Sequence, residues 1–217
     1  MSLISKRNKM INVAISQFVR LVSVVLLMSV VPFSSAYSAD KDSASKYVES
    51  VGNQAIDILS DKNLDKKDKE KHIEELFRKN VDIKWIGRFV IGRFWRQLEK
   101  DKKESYMQAY EKFVIKNYAS KFVDYSSGSF KISGSHDNGD NEFTINMEIK
   151  ADDNSDEPII VDYKVRNEGK KFLIFDIIIE NVSMIATQRS EFNSVMANKG
   201  IDYLTEQLVK KSNIDTD

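Results

Sequence analysis

The spacing of apolar residues divides the chain into a helical first part and a strand-rich second part. From Ser43 to Ser60, apolar positions recur every three or four residues, which predicts a helix with one buried face. A polar connector over Asp61 to Asp68 follows. The segment KKDKEKHIEELFRKNVD then predicts a second helix, in which only Ile73, Leu76 and Phe77 face inward and the charged residues are solvated.

Two further helices are predicted before the period changes. The segment DIKWIGRFVIGRFWRQL carries one apolar stripe, and Trp85, Phe89 and Trp95 lie on the neighbouring faces, so the helix should be buried broadly. A long amphipathic helix is predicted from Lys103 to Tyr125, because its aromatic residues recur at i, i+3 and i+4. Aromatic stripes of this kind belong to a protein core more often than to a binding surface.

After Gly128 the apolar period becomes two residues, which is the period of a β-strand. Four alternating runs are joined by short turns rich in Gly, Asn and Asp, and they predict an antiparallel meander. Two closing helices are predicted, one from Val182 to Asn198 that ends at Gly200, and a shorter one through Leu204 and Leu208. This order predicts an α+β fold in which a twisted four-stranded antiparallel sheet wraps around helices as a cone.

The fourth predicted strand, FLIFDIII, is apolar on both faces. Simple alternation separates its central residues into two sets, Phe175, Ile177 and Ile179 on one side and Ile174 and Ile178 on the other. A parallel sheet between helices has such strands, but this part of the chain does not alternate strands with crossover helices. Something other than water must therefore cover the second face.

The first 39 residues have the pattern of a secretory signal. Lys6, Arg7 and Lys9 precede an apolar run from Leu21 to Val31, and small residues follow in PFSSAYSAD. The run is shorter than the roughly 20 apolar residues that cross a bilayer. We therefore expect residues 1–39 to be a cleaved signal peptide, with cleavage after Ala36 or Ser38, and residues 40–217 to form one soluble domain.

Composition and charge narrow the possible functions. The chain is 41% hydrophobic and 30% charged, as in ordinary globular proteins, and it contains no cysteine, which excludes disulfides and cysteine-ligated metal. Loss of residues 1–39 removes four basic residues and no acidic one, so the formal charge falls from zero to −4. A negative domain of this kind argues against binding to nucleic acid.

Residues suited to catalysis are sparse. His72 lies on a charged helix and His136 in a hairpin turn, and both are surface contexts. Asp176 stands alone in apolar sequence, where it is either a general base in a pocket or, as we prefer, a partner for a helix N-terminus or an arginine. The acidic segments Asp137–Asp140 and Asp152–Glu157 lack EF-hand spacing and are typical of hairpin turns. We expect neither a catalytic site nor a metal site.

The segment FLIFDIIIENVSMIATQRSEFNSVMANKGIDYLTEQL, from Phe172 to Leu208, resembles the C-terminal signature of the MlaC, or toluene-tolerance, family. The shared features are the aromatic-rich strand with Asp176, the turn ENVS at Glu180–Ser183, and the ending GI followed by Leu204. Upstream, FVIGRFWRQL is similar to the family's LGRYWR segment. Asn181 stands where the family usually has glycine, and asparagine tolerates the left-handed backbone that such a turn requires.

This resemblance implies a soluble periplasmic carrier of phospholipid, with the lipid as cargo and no cofactor. The implied partners are an outer-membrane lipoprotein–porin complex and the MCE-domain subunit of an inner-membrane ABC transporter, and the implied role is to maintain outer-membrane lipid asymmetry. The implied fold is cone-like, similar to nuclear transport factor 2, with an apolar cavity, and the implied state is a monomer. The alternatives are a cone-fold enzyme that uses Asp176 and a structural binding module with a filled core.

The resemblance also gives the second face of the fourth strand a role, because that face can line a cavity for acyl chains. Val182 and Ala186 are one helical turn apart and are expected to meet the strand at an apolar wall. The residues predicted to enclose two acyl chains are Trp85, Phe89, Ile145, Met147, Val161, Tyr163, Phe175, Ile177, Ile179, Val182, Ile185 and Ala186.

Overall fold

The structure, a computed structural model, describes residues 35–119, 129–150, 157–169 and 171–213. The chain divides into two units, residues 1–39 and 40–217, and the second unit contains the sheet and the helices packed on it. The predicted signal peptide lies almost entirely outside the described residues, as does most of the acidic segment 152–157.

The helices of the described chain have the following bounds: α1 Ser35–Ser60, α2 Lys66–Asn80, α3 Ile83–Ile91, α4 Arg93–Gln97, α5 Lys100–Val114 and α6 Met184–Ser212. Helix α5 continues into a π-helical turn over Ile115–Ala119. The segment predicted as one helix over residues 82–98 is two helices, because Gly92 separates them with a φ of 53° that favours glycine. Helix α6 is interrupted at Gly200, where the sequence predicts a helix end.

Polar side chains fix the beginnings of three helices. Asp65 accepts a hydrogen bond from the backbone N–H of Asp68 at 2.8 Å and caps α2. Asp82 caps α3 through the N–H of Trp85 at 3.0 Å. Ser183 caps α6 in the same way. Such caps satisfy backbone donors that have no partner inside the helix, so each helix begins where its capping residue stands.

The antiparallel sheet has the strand order β1 Ser129–Gly139, β2 Glu142–Lys150, β3 Ile159–Asn167, β4 Phe172–Ile179 and β5 Val182–Ser183. The predicted α+β meander is confirmed. The described sheet has five strands where four were predicted, because Val182 pairs with Ile179 beyond the turn. Glu180 and Asn181 form that turn with φ values of 47° and 66°, so the left-handed conformation expected of Asn181 is confirmed.

Strand β4 contains a β-bulge at Phe175. The register between β3 and β4 shifts between Lys164 and Val165, which leaves Phe175 without a partner across the ladder. One extra residue reverses the alternation of side chains. Ile174 and Ile177 consequently face the same side of the sheet, and the prediction that Phe175 shares a face with Ile177 is wrong.

Helices α3, α5 and α6 pack together around buried tyrosines. The Tyr106 hydroxyl of α5 donates to the carbonyl of Gly87 in α3 at 2.9 Å. The Tyr110 hydroxyl donates to the side-chain oxygen of Gln188 in α6 at 2.8 Å, and the Gln188 amide donates to the Tyr118 hydroxyl at 2.9 Å. These bonds satisfy polar groups that the packing removes from water.

The fold opposes ionisation of its buried tyrosines. Burial raises the pKa of Tyr106 and Tyr110 well above the ordinary value of 10, and it raises the pKa of Tyr163 on β3 to about 12. The unfolded chain therefore loses these protons first, and the free energy of unfolding should fall as the pH rises above about 10. Below that pH these hydroxyls are protonated in both states and add no pH dependence.

Denaturant titrations on either side of pH 10 test this expectation when tyrosinate absorbance is recorded in parallel. We expect the unfolding midpoint to decrease in the alkaline range and the tyrosinate of Tyr106, Tyr110 and Tyr163 to appear together with unfolding. Ionisation of all tyrosines in protein that remains folded would contradict the burial that the structure shows.

Candidate functional site

An apolar cavity lies between helices α1 and α2 and the inner face of the sheet. Its volume is about 90 Å³. No charged residue is among the described residues that line it. These lining residues are Val48, Val51, Gly52, Ala55, Ile73, Leu76, Phe77, Asn80, Val81, Met147, Tyr163, Ile174 and Ile177. A site of this composition suits an uncharged, apolar ligand.

The helical wall of the cavity follows from residue spacing. Val48, Val51, Gly52 and Ala55 stand at i, i+3, i+4 and i+7 of α1, which places them on one face. On α2 the lining includes the three residues that the sequence predicts to face inward, and that prediction is confirmed. The charged residues of α2 surround this narrow apolar stripe, so the stripe is the face of the helix that suits the cavity.

The sheet wall depends on the bulge in β4. Tyr163 of β3 pairs with Ile145 on one side and Ile177 on the other, and these three residues form one row of the inner face. The bulge brings Ile174 to the same face, so that both isoleucines of β4 line the cavity. Burial raises the pKa of Tyr163 from its ordinary value of 10, which already lies above physiological pH, to about 12, and no charged side chain is among the described residues of the wall.

One end of the cavity is closed by Asn80, Val81 and Ile174, which are 7%, 9% and 3% exposed. The backbone N–H of Asp82 donates to the carbonyl of Ile174 at 2.9 Å, which fastens the end of α2 to β4. The Asn80 side chain donates to the Leu76 carbonyl at 2.8 Å and accepts from the Tyr47 hydroxyl at 3.1 Å. This end is therefore held by hydrogen bonds as well as by packing.

The opposite end lies beside Gly52 of α1. A Cβ atom at this glycine would stand 2.7 Å from the ring of Phe130 in β1, so the close approach of ring and helix requires glycine. Phe130 pairs with Ile149, which pairs with Ile159 in the outermost row of the sheet. At this end of the sheet three side chains of the inner face are exposed and form an apolar rim: Ile159, Ile179 and Val182.

The residues predicted to line a cavity fall into several places. Met147, Tyr163 and Ile177 line the cavity that the structure shows. Ile145 and Val161 lie beside them on the inner face of the sheet and are almost completely buried. Ile179 continues the same face to the apolar rim.

Trp85, Phe89 and Phe175 lie in a separate stack of aromatic and arginine side chains. The Trp85 ring stacks on Phe89 at 4.8 Å and meets Phe175 edge-on at 5.5 Å. The Arg166 guanidinium lies 4.7 Å from both Trp85 and Phe175, and Arg189 lies 4.4 Å from Phe89. The bulge turns Phe175 out of the inner face and into this stack, and the structure does not bring these three aromatic residues to the cavity.

Val182, Ile185 and Ala186 also lie away from the cavity lining. Val182 belongs to β5 and is 55% exposed, and α6 begins only at Met184. The prediction that Val182 and Ala186 share a helical face is wrong, because the hairpin continues strand pairing past the turn. Ala186 is exposed, and Ile185 is half-buried against the core.

The residues of α1 and α2 that line the cavity were not predicted to do so. Their helical spacing marked one face of each helix as buried, and that spacing was the available signal. Asn80 gave no signal, because a single asparagine at the end of a charged helix is an ordinary surface feature.

Asp176 binds the N-terminus of α6, as expected from the sequence. It is 5% exposed; one carboxylate oxygen accepts from the Ser183 hydroxyl at 2.7 Å and the other from the N–H of Ile185 at 3.2 Å. The Ser183 hydroxyl in turn accepts from the N–H of Ala186 at 3.1 Å. A negative charge at a helix N-terminus is stabilising, so both oxygens have a structural role.

Replacing Asp176 by Asn should lower the free energy of unfolding by roughly 1–3 kcal/mol, because a buried charge-assisted hydrogen bond becomes neutral. The cavity is built from other residues, so its ligand should be retained by the folded variant. Chemical denaturation measures the first effect. Asp140→Asn is the matched control, since Asp140 is exposed in a turn with a φ of 52° that asparagine tolerates. Equal losses in both variants would contradict the buried role of Asp176.

The remaining polar candidates show surface roles. His72 and His136 are both exposed, His72 on α2 and His136 in strand β1, where the sequence predicts a hairpin turn. Asp137 accepts from the N–H of Gly139 at 2.8 Å, which is a turn function. Within the described ranges, no group of three or more His, Cys, Asp or Glu side chains is placed to hold a metal ion. In the same part of the chain, no helix is long and apolar enough to cross a membrane.

Known proteins resemble this chain in sequence and in fold. The family model described as MlaC protein matches residues 49–210. The intermembrane phospholipid transport system binding protein MlaC of Haemophilus influenzae is 23% identical over 131 residues, which is 59% of this chain and 61% of that protein's length. A phospholipid-binding protein from Ralstonia solanacearum, solved in complex with a phospholipid, has a TM-score of 0.67 and 18% identity, and the match covers 78% of this chain and 96% of that one.

Proposed function

The chain belongs to the MlaC family, and from this membership we propose that it binds phospholipid and carries it between membranes. The observation that carries the proposal is the apolar cavity, whose described lining has no charged residue. The names of the relatives support it: the Haemophilus protein is a phospholipid transport system binding protein, and the Ralstonia protein was solved with a phospholipid.

In this proposal an acyl chain occupies the cavity and the headgroup stays at the apolar rim. Each methylene moved from water to an apolar wall gains about 0.8 kcal/mol. Covering the polar groups at the closed end costs no further free energy, because Asn80 and Tyr47 are already hydrogen-bonded to each other and to the backbone. Because the headgroup would stay in water, the carrier would accept phospholipids with different headgroups.

The size of the cavity implies that the protein opens to load a whole lipid. A water-sized group needs about 10–15 Å³ of such space, so the cavity admits several groups of that size, equivalent to part of one acyl chain. Two chains require α1 to move away from the sheet at the end beside Gly52. There the helix meets the sheet through a side-chain contact, because the Phe130 ring would lie 2.7 Å from a Cβ atom at Gly52. Contacts of this kind separate without breaking a strand ladder.

Delivery must occur on a partner. Two acyl chains carry roughly 30 methylenes, and their removal from water gains on the order of 20 kcal/mol, which is close to the limit of noncovalent affinity. Release into water would cost this free energy and would therefore be too slow. Transfer from one apolar environment to another changes the free energy of the chains little. We therefore propose that the carrier docks, opens and passes its lipid to the partner.

The proposed setting is the periplasm, where the mature protein acts as a monomer. Its proposed partners are an outer-membrane lipoprotein–porin complex and the MCE-domain subunit of an inner-membrane ABC transporter, and lipid exchange between them would maintain outer-membrane lipid asymmetry. We propose no catalytic role, because Asp176 is engaged at the N-terminus of α6.

A vesicle assay tests carrier function. Donor vesicles hold a fluorescent diacyl phospholipid at a self-quenching density, acceptor vesicles hold none, and the purified mature protein is added in small molar amounts. We expect transfer to accelerate in proportion to protein concentration. Transfer that stays at the protein-free rate, with protein that is folded by circular dichroism, would overturn the proposal.

A further inference from the structure

The closed end of the cavity differs in chemistry from its walls. The walls are aliphatic and aromatic, whereas the end presents Asn80, an amide that is 7% exposed. The Tyr47 hydroxyl lies 3.1 Å from the side-chain oxygen of Asn80 and 3.2 Å from its backbone carbonyl. The Tyr47 hydroxyl is a hydrogen-bond donor at physiological pH, and burial raises its pKa further above the ordinary value of 10.

A row of aromatic rings adjoins this polar pair. The Tyr47 ring of α1 lies 5.5 Å from the Phe172 ring of β4, and Phe172 meets the Phe143 ring of β2 edge-on at 6.1 Å. The row runs from helix to sheet past the end of the cavity. Because the end of α2 is also fastened to β4 through the Asp82–Ile174 hydrogen bond, this end is tied at several points.

The two ends of the cavity therefore offer different surroundings to an acyl chain. At the apolar rim, a longer chain meets Ile159, Ile179 and Val182, which are exposed and uncharged. At Asn80, a longer chain would have to displace a buried hydrogen-bonded pair and leave its polar groups without partners. That displacement is unfavourable, whereas each methylene that fits within the apolar wall is favourable.

We propose that Tyr47 and Asn80, backed by Phe172, form a stop that limits the length of acyl chain the protein accepts. The inference rests on the proposed function and adds a specificity to it. The terminal methyl group of the chain meets Asn80, and the headgroup lies toward the apolar rim. Tyr47 is a specificity-determining residue that acts by holding Asn80 in place and by filling the space next to it.

The test uses Tyr47→Ala, which removes both the hydroxyl and the ring. Purified parent and variant are equilibrated with vesicles of phosphatidylglycerols that carry saturated chains of graded length in equal amounts, and bound lipid is identified by mass spectrometry. We expect the parent to show an upper limit of chain length and the variant to shift that limit upward. Occupancy of the longer species should rise about fourfold for each methylene newly accommodated.

Two further variants make the outcome decisive. Tyr203→Ala removes a tyrosine that is 42% exposed on α6, and it should leave the chain-length profile unchanged. Phe172→Leu shortens the aromatic row while keeping an apolar side chain, and it should shift the profile as Tyr47→Ala does. It keeps the test available if Tyr47→Ala folds poorly.

If variants that still bind lipid keep the parent's chain-length profile, the proposed stop is wrong and the proposed function stands. If the parent binds no phospholipid, the proposed function fails as well.

Discussion

Ala55→Trp should deprive the protein of most of its bound lipid while leaving the fold intact. Ala55 lines the cavity from α1 and is half-buried, so an indole at this position points into the space that we assign to the acyl chain. The cavity has a volume of only about 90 Å³, so the indole ring of tryptophan fills it. Exclusion of even two methylenes weakens binding by more than about tenfold.

The measurement is the ratio of phospholipid to protein after purification of folded material. Ala186→Trp is the matched control, because it makes the same change at an exposed position of α6 outside the cavity lining. We expect the control to keep the parent's ratio. If Ala186→Trp depletes lipid and Ala55→Trp does not, the lipid lies at the wall predicted from the sequence, and the cavity between α1, α2 and the sheet is not its site.

Gly87→Val should cause a large loss of stability. Gly87 of α3 is buried where it crosses α5, and a Cβ atom there would stand 2.8 Å from the Tyr110 ring and 2.9 Å from the Met107 sulfur. Valine therefore forces α3 away from α5 and strains the Tyr106 hydrogen bond to the Gly87 carbonyl. We expect a loss of about 3 kcal/mol, which corresponds to a decrease in Tm of roughly 6–12 °C.

Gly134→Val is the matched control for this substitution. Gly134 lies in β1, where the three atoms nearest to an added Cβ atom all belong to the side chain of Asn146, and the nearest is its terminal amide oxygen at 2.9 Å. Valine also favours strands, so the expected change is less than about 1 kcal/mol. Calorimetry of both variants compares the two sites directly, and equal losses would contradict the tight crossing of α3 and α5.

Periodicity predicted the element order and most of the buried faces of this protein. The inward residues of α2 and the meander of the sheet follow from spacing and turn chemistry, whereas the left-handed Asn181 was expected from the resemblance, in which it takes the place of a glycine. The resemblance to the MlaC family, carried by the C-terminal motif, is confirmed by the family match over residues 49–210. The buried helix faces and the turns depend on interactions between near neighbours in the chain.

The errors arise where one residue changes the register. The bulge at Phe175 is invisible in an apolar run, because isoleucine and phenylalanine suit either face of a strand. Strand β5 was likewise predicted as the first turn of a helix, since Val182 fits both patterns and the pairing with Ile179 is decided by the hairpin. Each change moved predicted cavity residues to another surface.

The cavity itself could not be located from spacing. A helical face that packs against a filled core has the same apolar pattern as one that faces a void, so the stripe on α1 did not distinguish between them. A small residue such as Ala55 leaves space only because the opposite wall does not fill it. That condition depends on two elements that are distant in sequence.

The proposed function depends above all on diacyl phospholipid being held in the cavity between α1, α2 and the sheet. Native mass spectrometry of the protein purified from cells without detergent measures this directly, because bound lipid adds its mass to the intact chain and is identified after release. We predict a phospholipid-bound species in stoichiometric amount, which Ala55→Trp diminishes and Ala186→Trp leaves unchanged. Folded parent protein that carries no phospholipid and acquires none from vesicles would contradict this assignment.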